Sequence, residues 1–208
     1  MNLKNLLVVS ATSLFSIAIT QFASAQNVQN GDFETGTFPP WTIPDNGNSP
    51  TPRISTTVFH SPTHSALLGS LIGETEPLGN SIIVSNLFNL PANATLSYWW
   101  NGFTTDSITF DWQDAYITSS TGTILFTAQH TCLTTGAFIN ATMPITGIAA
   151  GTPVHVEFLV HQDGFGDVTN MYVDDVAVVP EPSVAVLGLL GFGALAATGI
   201  ARRIRRSV

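Results

Sequence analysis

The chain has 208 residues, 44% of them hydrophobic, with fourteen acids against six lysines and arginines, a net charge of −8 and one cysteine. One thiol excludes an internal disulfide framework, and so few basic side chains exclude a nucleic-acid binder, which must neutralise phosphates. Only Glu181 of the acids lies outside Gln26 to Val179 and only Arg53 of the bases lies inside, so this 154-residue body carries −12, a balance that suits an exported, soluble domain and a hard cation.

The first segment is an address. Lys4, the apolar stretch Leu6 to Ile19 and the small-x-small triplet Ala23-Ser24-Ala25 read as a secretory signal peptide over residues 1–25, with Gln26 as the first mature residue.

The body, residues 26–179, reads as one all-β domain. Thr, Val, Ile and Phe form short runs separated by Gly, Asn and ten prolines, and no window carries a helical apolar stripe with caps. The expected strands are Val28 to Glu34, Arg53 to His60, Ser65 to Ser70, Ser81 to Phe88, Ala94 to Asn101, Ala115 to Ser119, Thr123 to Gln129, Ala137 to Ile145, Val154 to Gln162 and Met171 to Val178. Ten short strands at this spacing predict an antiparallel β-sandwich. Two of them show their faces. Leu96, Tyr98 and Trp100 share one side, with Thr95, Ser97 and Trp99 on the other. Val154, Val156, Phe158 and Val160 form an apolar face opposite His155, Glu157, Leu159 and His161. Pro39 to Pro52 reads as an irregular loop.

Other constellations carry less. Asp163-Gly164-Phe165-Gly166-Asp167 is an acidic loop with two readings, a calcium-binding loop or a solvated turn; lacking the further acids of an EF-hand and the repeats of a calcium β-roll, it reads first as the turn. Asp106, Asp111 and Asp114 surround Phe110 and Trp112, a grouping compatible with a glycosidase carboxylate pair or with a loop edge of ordinary surface acids. The five histidines do not assemble a zinc pattern. Trp41, Trp99, Trp112, Phe103 and Phe165 are the candidate sugar-stacking rings, since an aromatic ring offers an apolar face to a pyranose; Trp41 has the competing role of plugging one end of the sandwich. Cys132 reads as a small, half-buried side chain.

The last 29 residues are the most specific part. Pro180-Glu181-Pro182 precedes Ser183 to Ala201, a 19-residue uncharged run, and Arg202, Arg203, Arg205 and Arg206 follow. As a helix this run would be about 28 Å long, close to the bilayer core. The arginines would hold its far end in the cytoplasm. Residues 180–208 thus predict a transmembrane segment at 183–201 with a basic stop.

This order of parts is similar to the PEP-CTERM sorting signal of Gram-negative bacteria. The resemblance implies cleavage near Pro180-Glu181-Pro182 by an exosortase-type membrane enzyme, transient residence in the inner membrane, and release or transfer to the cell surface, often beside exopolysaccharide. A plain tail anchor is the alternative. The body resembles the galactose-binding-like jelly rolls of carbohydrate-binding modules on three pieces: Asn30-Gly31-Asp32-Phe33-Glu34-x-Gly36 with Trp41, Leu96 to Trp100, and Met171 to Val176. That scaffold implies neighbouring first and last strands holding a structural calcium, with Glu34 and Asp175 as ligands, Asp174 as substitute and Asp32 nearby. The competing expectation is that the two aspartates bind loop amides. Together these readings predict an exported, non-catalytic surface or matrix protein that binds exopolysaccharide, against an adhesive protein without a defined sugar or a glycan hydrolase.

Overall fold

The computed structural model describes residues 28–44 and 49–180, and every regular element among them is a β-strand. The expected signal peptide and the transmembrane segment at 183–201 lie outside the described residues, as do Glu181, Pro182 and the terminal arginines. Ten strands run in chain order: β1 (Arg53–Ser55), β2 (Ser65–Gly69), β3 (Gly79–Val84), β4 (Phe88–Asn89), β5 (Ala94–Thr104), β6 (Trp112–Ser119), β7 (Ile124–Thr131), β8 (Ile139–Pro144), β9 (Pro153–Gln162) and β10 (Thr169–Pro180). They form two antiparallel sheets, β1-β2-β10-β5-β8 and β3-β9-β6-β7, with β4 also paired to β9.

The core lies between the sheets, as the alternation requires. Leu96, Tyr98 and Trp100 of β5 point inward, and so do Val154, Val156, Phe158 and Val160 of β9. Tyr98 meets Phe158 edge-on with ring centres 5.0 Å apart, across the gap between the sheets. Its hydroxyl reaches the Gln129 side-chain oxygen at 2.8 Å, which lets the ring be buried without stranding the polar tip. Each fully buried side chain of this size contributes roughly 1.5–3 kcal/mol of transfer free energy.

Two expectations need correction. Val28 to Glu34 is a chain of turns, because Asn30 and Phe33 take positive φ (50° and 54°) and the Asn30 side-chain amide donates to the Thr37 carbonyl at 2.8 Å. Folded this way, the segment drives Phe33 and Trp41 into the core with ring centres 5.3 Å apart. The neighbours of β10 are therefore β2 and β5, and the N-terminal segment meets β10 through the Val176 N–H, 2.8 Å from the Gly31 carbonyl. Second, the strand beginning at Arg53 ends at Ser55, whose Oγ accepts the Val58 N–H at 3.1 Å and turns the chain. β10 also departs from plain alternation. A bulge between Asp174 and Ala177, with Asp175 at φ 50°, sends both Val173 and Val176 inward.

Candidate functional site

Loop 56–64, between β1 and β2, is held to the outer face of its sheet by the acids expected to bind calcium. Asp174 is fully buried and accepts the N–H groups of His60 (2.8 Å), Ser61 (2.9 Å) and Asp175 (2.8 Å) and the Ser61 hydroxyl (3.1 Å). Asp175 lies 2.6 Å from His60 Nδ1. Glu34 accepts the Thr63 hydroxyl (2.6 Å), the Thr63 N–H (3.0 Å) and the His64 N–H (2.8 Å). These bonds, the Thr63 hydroxyl first, hold the Glu34 carboxyl down at about 2. Asp32 caps the Glu34 N–H at 3.3 Å. Among the described residues these four acids form no group with three oxygens at metal-ligand spacing. The oxygens of Glu34 and Asp174 accept N–H and O–H donors from loop 56–64, and Asp174 also takes the Asp175 N–H.

The aromatic candidates do not share a face. Trp41 is 2% exposed, its indole N–H donating to the Gln29 and Asn30 carbonyls at 3.0 Å, so it is core and unavailable to a sugar. Trp99 is half-buried on the outside of the β5 sheet under the His60 ring. Trp112 stands on the other sheet, stacked on His161 at 3.9 Å. Beside it on β6, Asp114 is buried under the Tyr116 hydroxyl and His130 Nδ1 (2.8 Å). Burial raises the Asp114 carboxyl from its ordinary value against both of these bonds.

The structure instead gathers chemistry at one end of the sandwich, where three loops meet. Loop 70–78 brings Glu76, loop 105–111 brings Asp106, Phe110 and Asp111, and loop 163–168 brings Asp163, Phe165 and Asp167. A cleft of about 300 Å³ opens there, lined by Asp106, Phe110, Asp163, Phe165 and Asp167. Its rings are bare, Phe110 at 52% and Phe165 at 88% exposure, and Ile72, Leu78 and Ile108 on the same loops are exposed as well. Close backbone approach fixes this end: a Cβ on Gly69, which has φ +81°, would sit 2.2 Å from the Thr169 carbonyl.

Glu76 and Asp111 lie deeper than the cleft wall and are buried. Asp111 Oδ1 accepts the Asp163 N–H at 2.9 Å, and Glu76 Oε2 accepts the Gly166 N–H at 2.7 Å. Burial first, then the Asp111 charge, pushes the Glu76 carboxyl up to about 7 despite the Gly166 bond. Burial likewise raises Asp111. Cys132 is a free, half-buried thiol beside Thr104 Oγ1 (3.2 Å), and burial pushes it above its ordinary range. The sequence named Asp106, Asp111 and the 163–167 loop separately; what it lacked was the sheet pairing that superposes them, and Glu76 gave no local signal at all.

Two stacked antiparallel sheets define a β-sandwich whose fold is that of carbohydrate-binding modules and adhesin domains. TmCBM61, solved in complex with beta-1,4-galactotriose, superposes with a TM-score of 0.53 at 17% identity over 76% of this chain and 100% of that one. The K3 cleaved adhesin domain of Lys-gingipain from Porphyromonas gingivalis gives 0.54 at 19% identity, over 76% and 99%. CBM28, a module specific for non-crystalline cellulose, gives 0.50 at 12% identity, over 76% and 97%. These likenesses establish the fold. No curated protein matches the chain in sequence. Residues 178–206 match the PEP-CTERM protein-sorting motif. The chain therefore joins a body with the fold of carbohydrate-binding modules to a signal that implies export and surface sorting in a Gram-negative bacterium.

Proposed function

We propose that this is a non-catalytic surface protein that binds a neutral extracellular polysaccharide at the loop end of its sandwich. The reading is carried by the cleft itself: two exposed phenyl rings beside three carboxylates in about 300 Å³. Rings of this kind cover the apolar face of a pyranose, and carboxylates accept hydroxyl hydrogen bonds. A uronate polymer would meet like charge there and is disfavoured. The C-terminal signal would deliver the protein through an exosortase-type enzyme, after a stage in the inner membrane held by Ser183 to Ala201, with cleavage near Pro180-Glu181-Pro182.

Carboxylate spacing argues against an inverting hydrolase. Oxygens of Asp106, Asp163 and Asp167 lie within 4.8 Å of one another. That leaves little room for the water that an inverting pair holds between carboxyl groups ~6.5–9.5 Å apart. A panel of neutral and acidic polysaccharides tests binding: retention on a neutral glucan or galactan supports it, and binding to none leaves an adhesive protein without a sugar ligand. Intact mass of the surface form tests sorting, since loss of Arg202 to Arg206 marks processing and their retention marks a permanent anchor.

A further inference from the structure

We propose that the loop end binds a calcium ion through Glu76, Asp111 and Asp163, with Asp106 and Asp167 joined to the same site through Asp163. One oxygen each from Glu76, Asp111 and Asp163 lies within 4.8 Å of the other two, and the same holds for Asp106, Asp163 and Asp167. Oxygens ~2.3–2.6 Å from one calcium ion stand at most about 5 Å apart, so this spacing is that of a coordination shell.

Acids alone would not make a site. The second observation is Asp111, which is 0% exposed. Its Oδ1 takes the Asp163 N–H, while its Oδ2 is buried and makes no hydrogen bond; the Thr169 hydroxyl near this carboxyl is shared with Thr104 Oγ1 at 2.7 Å. Asp167 Oδ1 is a second buried oxygen of the cluster without a donor. Buried carboxylate oxygens need a donor or a cation. No protein cation serves them: Arg53, the one basic residue among the described residues apart from histidines, is engaged with Glu74 at 2.7 Å. The contrast with Asp174 is direct, since that equally buried aspartate is surrounded by four donors.

The chemistry selects the ion. Every ligand is a hard oxygen, which excludes the nitrogen and sulfur preference of zinc. Acids from three separate loops suit the large, irregular shell of calcium better than the small octahedron of magnesium. An ion here ties the two loops that wall the cleft to loop 70–78 and offsets part of the cleft's negative charge. Its binding does not depend on the glycan reading, so the two can fail separately. The competing occupant is a proton shared between Glu76 and Asp111.

The test is calcium titration of the full chain in detergent, by calorimetry and by melting with calcium, magnesium or EDTA. Expected are saturable binding with a dissociation constant on the order of 10⁻⁴–10⁻³ M, as in extracellular modules, and a rise in melting temperature reversed by EDTA and smaller with magnesium. Asp111→Asn and Asp163→Asn should each weaken binding at least about tenfold, Asp163 being the control for folding because it is partly exposed on its loop. Glu34→Gln and Asp175→Asn should bind calcium like the parent. Absence of binding at about 10 mM calcium would mean that the carboxyl pair holds a proton, and would overturn the site. So would binding lost in Glu34→Gln and kept in Asp163→Asn.

Discussion

The His60 imidazole lies flat on the Trp99 indole, with ring centres 3.8 Å apart and planes within 12°. His60 belongs to loop 56–64 and Trp99 to the outward face of β5, so the stack clamps that loop onto its sheet. It also covers a ring that the sequence offers as a sugar platform. Trp99→Ala should therefore destabilise the protein by about 1–2 kcal/mol, a stacking contribution plus partial burial. Polysaccharide retention should not change. Urea unfolding and the binding panel, run on one sample, check both halves.

Asp174 supports the same loop from beneath. It satisfies two loop N–H groups, a loop hydroxyl and the Asp175 N–H from a site with no access to water. Asp174→Ala strands those donors, and each buried donor left unsatisfied costs ~1–3 kcal/mol before relaxation. The loss should be about 3 kcal/mol or more and exceed that of Trp99→Ala. Equal stabilities for the two variants would show that the donors find water instead.

Glu34 sets a pH dependence whose sign is fixed. Its carboxyl falls from 4.5 to about 2 on folding, chiefly through the Thr63 hydroxyl, then the Thr63 and His64 N–H groups. Between those values the unfolded chain binds more protons than the folded one. The stabilisation is thus present above about 4.5 and is lost as pH falls toward 2. Glu34→Gln should be less stable than the parent at pH 7, and the gap should close on acidification through this window. A gap that stays constant from pH 7 to pH 2 would assign the effect to shape rather than charge.

The strands that could be read in the sequence were those whose alternation is enforced by a single buried face. Both faces of β5 and β9 follow directly from Leu96, Tyr98, Trp100 and the Val154 to Val160 series. Where a local backbone choice overrides period two, the pattern misleads. Phe33 reaches the core from a left-handed turn residue, and the bulge at Asp175 places Val173 and Val176 on one side. The candidate site was legible only in fragments. Asp111 and Asp163 are 52 positions apart, and only the pairing of β6 with β9 brings their loops together. Glu76 sits in a loop of ordinary composition, and nothing local announces that it is buried.

Gly69 ties the fold to that end. With φ +81° and the Thr169 carbonyl 2.2 Å from any Cβ, alanine is opposed by conformation and by space, and the obstacle is backbone that cannot swing aside. Gly69→Ala should cost at least about 2–3 kcal/mol. It should also reduce calcium binding, because β2 leads into the loop that carries Glu76. Gly122→Ala is the contrast: its φ is +82°, yet nothing lies within 4 Å of its Cβ, so conformational strain alone should cost about 1 kcal/mol. Melting temperatures of the pair separate the steric part from the conformational part.

Phe165 tests the cleft most cleanly. At 88% exposure it contributes almost nothing to the core, so Phe165→Ala should leave the melting temperature unchanged. A ring that covers a pyranose face should, when removed, weaken polysaccharide binding about tenfold, or roughly 1.4 kcal/mol. Phe110→Ala, on the opposite loop, should act in the same direction, and the double variant should lose more than either. Trp112→Ala supplies the comparison, because that ring stands on the outer face of β6 against His161 and outside the cleft lining. If Trp112→Ala abolished retention while Phe165→Ala bound normally, the sugar would lie along the outer face of the β6 and β9 strands. The loop end would then keep only its cation.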